Sequence, residues 1–188
     1  HEITTDMFSG TAKPTIIFLG AATLTLRAIQ NIPSNCAIIG AGRGITKFVM
    51  GTAGMDSFYV LDKSKIIFKH FTHTGTGSLT PGVVDTEIPI YIESASQAEL
   101  NVTIEDIEIT NSPQCVYVLN AANVKILNNY FHDGVADLPG DSEGYGALIQ
   151  TSKRVLVQGN HFDRIPRHNI YFTAGTTHST ADGNIFNN

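Results

Sequence analysis

Residues 155–172 read VLVQGNHFDRIPRHNIYF, and residues 124–134 read VKILNNYFHDG. Laid over one another, Asn129-Tyr130-Phe131 falls on Asn160-His161-Phe162, and Val124-Lys125-Ile126 falls on Val155-Leu156-Val157. A third copy follows, where Gly183-Asn184-Ile185-Phe186 matches Gly159-Asn160-His161-Phe162. A fourth precedes them: Val102-Thr103-Ile104 takes the place of Val124-Lys125-Ile126, and Ile109 that of Phe131. KIIFKHF at 65–71 and NCAIIGAG at 35–42 are looser copies. Apolar and polar residues alternate over four to six positions in each copy, the period of a strand. Asn, Gly and Asp, the turn residues, bound every run. ATLTLRAIQNI, at 22–32, is the best helical candidate, and its β-branched residues favour strand and turn. Short strands recurring in this way without helices predict an all-β fold, a parallel β-helix of about six or seven rungs. Leucine-rich repeats would need a Leu-x-x-Leu-x-Leu signature, which is missing. Asn129 and Asn160 are then expected to stack at one bend and hydrogen-bond along the axis, with Phe131 and Phe162 stacked inward beside them.

The composition agrees with a globular chain. Of 188 residues, 42% are hydrophobic and 15% charged, enough for one domain over 1–188 with a substantial core. A net charge of -5 argues against a nucleic-acid partner, which would demand clustered Lys and Arg. No apolar run approaches the ~18 residues of a membrane span, and HEITTDMFSG has no signal-peptide pattern. His at position 1 and the closing ADGNIFNN read as cut ends, and open rung edges there predict self-association.

IPSNCAIIGAGRGITKFVM (32–50), SKIIFKHF (64–71), NVKILNNYF (123–131) and RVLVQGNHF (154–162) together resemble the right-handed parallel β-helix proteins of the pectate-lyase-like superfamily, over 15–188. That superfamily holds polysaccharide lyases, glycoside hydrolases, epimerases and phage tailspikes. The resemblance implies a polysaccharide partner, an extracellular or virion-surface location, and a homotrimer if the chain is tailspike-like. RIPRHNIYF is similar to the Arg-His stretch of β-helix alginate and chondroitin lyases, through Arg167-His168.

Chemistry is expected at one corner. The insertion HDGVADLPGDSEGYG (132–146) carries Asp133, Asp137, Asp141 and Glu143 with His132 and Tyr145. Insertions on a solenoid gather on one face. Rung register sets Asp133 above Arg164 and His132 above Asp163, about 4.8 Å away, and Arg167, His168 and Tyr171 follow. For β-elimination Arg167 would clamp a uronate carboxylate and His168 or Tyr171 would act as base. A divalent cation such as calcium is the alternative neutraliser. For hydrolysis two carboxyl groups are needed, with Asp133, Asp137, Asp141, Glu143 and Asp163 as candidates. Asp133 over Arg164 equally fits a surface ion pair that holds two rungs in register. The expected activity is processing of an acidic glycan, with β-elimination ahead of hydrolysis. The alternative is a non-catalytic glycan-binding or shaft segment of a tailspike or adhesin.

Other signals read as structure. GAGRG (40–44) precedes ITKFVM, a strand rather than a helix, so it predicts a tight rung corner. His70 and His73 read as exposed turn residues, and Asn101-Val102-Thr103 as a chance acceptor pattern. Cys36 and Cys115 lie too far apart along the axis to bridge and are expected as buried thiols.

Overall fold

The computed structural model describes residues 1–9, 14–77, 87–136 and 143–187. The described chain winds through three parallel sheets in a fixed order. Sheet I holds Thr15–Phe18, Cys36–Ile39, Ile66–Lys69, Glu99–Glu105, Ala122–Leu127, Lys153–Gln158 and Thr180–Asp182. Sheet II holds Glu2–Ile3, Ala22–Leu26, Thr46–Met50, Thr72–Thr74, Glu108–Thr110, Tyr130–His132, His161–Asp163 and Ile185–Asn187. Sheet III holds Gln30–Asn31, Phe58–Leu61, Ile90–Glu93, Gln114–Leu119, Tyr145–Gln150 and His168–Phe172. Each rung runs from sheet I through sheet II to sheet III, and every pairing is with the rung above or below. The parallel β-helix expected from the repeat is the fold observed.

The register is the one the repeats predict. Ile66, Val102, Val124 and Val155 form one column, and Phe68, Ile104, Ile126 and Val157 a second. In sheet II, Ile109, Phe131, Phe162 and Phe186 form a third, with ring centroids 5.3 Å apart for Phe131–Phe162 and 5.6 Å for Phe162–Phe186. Strand alternation turns these side chains inward, and each fully buried one contributes roughly 1.5–3 kcal/mol.

Between sheets I and II the bend is made by a pair of residues with different duties. Asp106, Asn128, Gly159 and Gly183 take left-handed backbone, with φ of 50°, 55°, 67° and 59°, which Asn, Asp and Gly tolerate best. The next residue turns inward. Asn129 Nδ2 donates to Asn160 Oδ1 at 2.9 Å and Asn160 Nδ2 to Asn184 Oδ1 at 3.0 Å. The same amides bond backbone: Asn160 Nδ2 donates to the Ile126 carbonyl and Asn160 Oδ1 accepts from the Asn129 N–H, both at 2.9 Å. That is why the chain repeats an Asn here: a buried carboxamide satisfies the backbone groups that a sharp bend leaves unpaired.

GAGRG is a rung corner, followed by the strand Thr46–Met50. A Cβ on Gly40 would stand 2.2 Å from the His70 carbonyl oxygen. Cys36 and Cys115 are buried and unbridged. One expectation fails. The bend residue in KHFTH is His70, at φ 60°, so the sheet II strand restarts at Thr72 and His73 falls on an inward position between Phe48 and Ile109. His73 is fully buried. Its Nε2 lies 2.7 Å from Ser57 Oγ and its Nδ1 has no partner among the described residues. No helix among the described residues is long and apolar enough to cross a membrane.

Candidate functional site

The bend from sheet II to sheet III carries the residues singled out from the sequence, and the structure sorts them into two groups. On the sheet II side, Asp133 and Arg164 are successive left-handed corner residues, φ 49° and 51°, so their side chains leave the corner together. Arg164 Nε donates to Asp133 Oδ1 at 2.5 Å, and Arg164 Nη1 donates to Asp163. His132 joins this group by Nδ1, 2.7 Å from Asp133 Oδ2, and reaches Glu108 Oε1 by Nε2 at 3.0 Å. The Thr72 hydroxyl donates to Glu108 Oε2 at 2.6 Å, and the Tyr130 hydroxyl to Asp163 Oδ2 at 3.3 Å. The Arg164 hydrogen bond holds the Asp133 carboxyl far below its usual range. Burial opposes the charge on Glu108, yet the bonds from Thr72 and His132 outweigh it and bring Glu108 down. Every charged side chain in this group therefore has a hydrogen-bond partner.

On the sheet III side, the Arg167 and His168 N–H groups both donate to the Gly144 carbonyl, at 3.1 and 3.2 Å. The Tyr145 ring, 5% exposed, forms a shelf with the Arg167 guanidinium carbon 5.3 Å from its centroid. His168 and Tyr171 stack against it at 5.6 and 5.7 Å, and against each other at 5.0 Å. Among the described residues Arg167 has no carboxylate partner. The two groups meet across 164–169, where Arg164, Ile165, Pro166, Arg167 and Asn169 line a cleft of about 500 Å³. Asn169 Oδ1 is buried there without a partner among the described residues. Glu143 is buried at the same bend, while Asp137 and Asp141 lie outside the described residues. No three His, Cys, Asp or Glu residues among those described are grouped to hold a metal ion.

Sheet III also carries a feature not read from the sequence. Tyr59, Tyr91 and Tyr117 stand in one outward column, centroids 5.1 and 5.0 Å apart, continued by Leu148 and Tyr171. The signal was present as FYV, IYI, VYV and IYF, a Tyr between two core residues four times over. Tyr59 donates to Glu93 Oε2 and Tyr117 to Gln150 Oε1, both at 2.6 Å. Burial, then the bond to Glu93, push the Tyr59 phenol above its usual range. Burial also pushes the Asp56 carboxyl up to about 6.

Residues 87–188, more than half of the chain, match the family model described as the right handed beta helix region. The chain belongs to the right-handed β-helix family. This β-helix resembles two solved structures in particular. One is a candidate glycosyl hydrolase from Parabacteroides merdae, with TM-score 0.66 and 10% identity over 92% of this β-helix and 80% of that chain. The other is the catalytic domain of a GH87 α-1,3-glucanase in complex with tetrasaccharides, with TM-score 0.61 and 14% identity over 92% of this β-helix and 34% of that chain. At such identities the likeness is one of fold. No curated protein matched the β-helix by sequence.

Proposed function

We propose that the chain processes a polysaccharide, and that the cleft at 164–169 takes an acidic glycan for β-elimination. One observation carries the reading: of the two corner guanidiniums, Arg164 is neutralised by Asp133 and Asp163, while Arg167 lies on the Tyr145 ring at the cleft and meets no carboxylate among the described residues. A planar guanidinium held on an aromatic face presents its donor fork outward and matches a carboxylate bidentately. With the uronate carboxylate so neutralised, the C5 proton becomes removable. His168 takes that proton, the C4–oxygen bond breaks as the C4–C5 double bond forms, and Tyr171 returns a proton to the departing oxygen. Likeness in fold to proteins described as a glycosyl hydrolase and a glucanase supports a glycan as the substrate.

A second reading has its own observation. Hydrolysis needs one protonated and one ionised carboxyl group. Asp56, raised by burial to about 6, precedes the sheet III strand and lies near Tyr59, whose hydroxyl donates to Glu93. Incubation with a panel of uronic-acid polysaccharides and neutral glucans separates the two. Ultraviolet absorbance rising with new reducing ends is the expected result. Reducing ends without absorbance move the assignment to hydrolysis and to Asp56. Neither signal from folded protein overturns both readings and leaves a non-catalytic segment.

A further inference from the structure

Six of the twelve Lys and Arg residues, Lys63, Lys65, Lys69, Lys125, Lys153 and Arg154, fall on sheet I or on the bend leading into it. The corner chemistry described above uses none of them. Their arrangement follows from the rung. Lys65, Asn101, Asn123 and Arg154 occupy the same step of four successive rungs, since their following residues Ile66, Val102, Val124 and Val155 pair in register. All four have left-handed backbone, φ 60°, 53°, 58° and 53°, so their side chains leave the sheet edge on one side. At ~4.8 Å per rung the column spans roughly 14 Å along the axis.

Beside it lies a groove of about 350 Å³, lined by Asn101, Val102, Thr103, Asn123, Lys125, Arg154 and Leu156. Its wall is pre-ordered. Arg154 Nε donates to Asn123 Oδ1 at 2.7 Å and its Nη2 to Glu99 Oε1 at 2.5 Å, and Asn123 Nδ2 reaches Asn101 Oδ1 at 3.5 Å. Glu99 thus balances Arg154. The ammonium groups of Lys65 and Lys125 are exposed and meet no carboxylate or hydrogen-bond partner among the described residues. Among the described residues no carboxylate lines the groove itself. Amides, a hydroxyl and an unpaired ammonium over the apolar floor of Leu156 suit a ligand with hydroxyl groups on a compact ring and a recurring negative charge.

We propose that this edge of sheet I is a second glycan site, one that holds a stretch of anionic polysaccharide along the helix axis, with Lys65 and Lys125 pairing its carboxylates and Asn101 and Asn123 its hydroxyls. The polymer's identity rests on the acidic-glycan reading of the corner cleft; the site itself does not. It lies on a different sheet from Arg167 and anchors chain rather than cutting it.

The test is calorimetric binding of polygalacturonate and of neutral dextran at low salt, to the wild-type chain, to Lys65→Ala/Lys125→Ala and to Arg167→Ala. The double variant is expected to bind polygalacturonate about tenfold more weakly, with a shallower salt dependence, and to cleave a short oligouronate as wild type does. Arg167→Ala should retain most of the polymer affinity. Polymer binding without any cleavage, still lost in the double variant, keeps the groove and removes the corner reading. Unchanged affinity in the double variant, equal binding of dextran, or no polymer binding by the wild type overturns the groove.

Discussion

The side-chain amide of Asn129 donates to that of Asn160 across one rung at 2.9 Å, and both residues are sealed from water. Each amide also serves backbone groups of the preceding rung's bend, so the ladder couples the turns of neighbouring rungs. Replacing Asn160 by Ala leaves the Ile126 carbonyl and the Asn129 N–H buried and unpaired. A loss of about 2–4 kcal/mol is expected from these orphaned groups, read as a lowered denaturation midpoint with folded-state secondary structure intact. A cost under half a kcal/mol would mean that the ladder is ornamental.

The glycines that precede the ladder allow a paired comparison. Gly159 and Gly183 have similar left-handed φ, 67° and 59°. A Cβ on Gly159 would stand 2.4 Å from Asn128 Oδ1, whereas one on Gly183 meets nothing within 4 Å. Gly183→Ala should therefore cost only the conformational penalty, about 1–2 kcal/mol, and Gly159→Ala more, until the Asn128 side chain moves aside. Asn128→Gly in the Gly159→Ala background, which removes the clashing side chain and keeps a residue suited to the left-handed φ of 55° at 128, should recover the difference in thermal denaturation.

His73 gives the core a sensitivity to acid. Burial lowers its pKa from 6.5 to about 3, so the unfolded chain binds a proton that the folded chain refuses. Stability should be unaffected by this group above pH 6.5 and fall as pH drops from there towards 3. The slope should approach a limit of about 1.4 kcal/mol per pH unit, the value for one proton. His73→Phe, which restores an aromatic between Phe48 and Ile109, should flatten that part of the profile. Chemical denaturation at stepped pH checks it, and identical slopes would remove His73 as the cause.

Tyr145 braces Arg167 through its ring, not its hydroxyl. Tyr145→Phe is expected to keep the KM for an acidic glycan within about twofold. Tyr145→Leu should raise KM by about tenfold, since an exposed cation–π contact and its orienting effect are lost. Equal KM values for Phe and Leu would show that the shelf does not position the guanidinium.

The fold was legible because the inward columns repeat chemically: Val124 over Val155 and Phe131 over Phe162 declare their register without a structure. His73 was misread because one left-handed residue, His70, shifts the in-out parity after it, and nothing in the letters KHFTH marks which His bends. Glu108 went unseen for a related reason. Its column reads Thr72, Glu108, Tyr130, His161, with no repetition to flag it. The tyrosine column was written plainly as Tyr between core residues, at 59, 91, 117 and 171, but its spacing is broken by the segments before sheet III. What no letter could show is that Arg164 is spent on two carboxylates while Arg167 meets none among the described residues, since pairing is decided by side-chain direction at the corner.

The most direct measurement compares kcat/KM on a uronate polymer and on its methyl-esterified form, for wild type and for Arg167→Ala. Esterification removes the charge that Arg167 is assigned to hold. Wild type should prefer the free acid by at least about tenfold, the loss expected when one bidentate ion pair is removed, and Arg167→Ala should process the two forms alike. A wild-type chain that turns over both polymers equally, or an Arg167→Ala variant that keeps the full preference, would contradict the account.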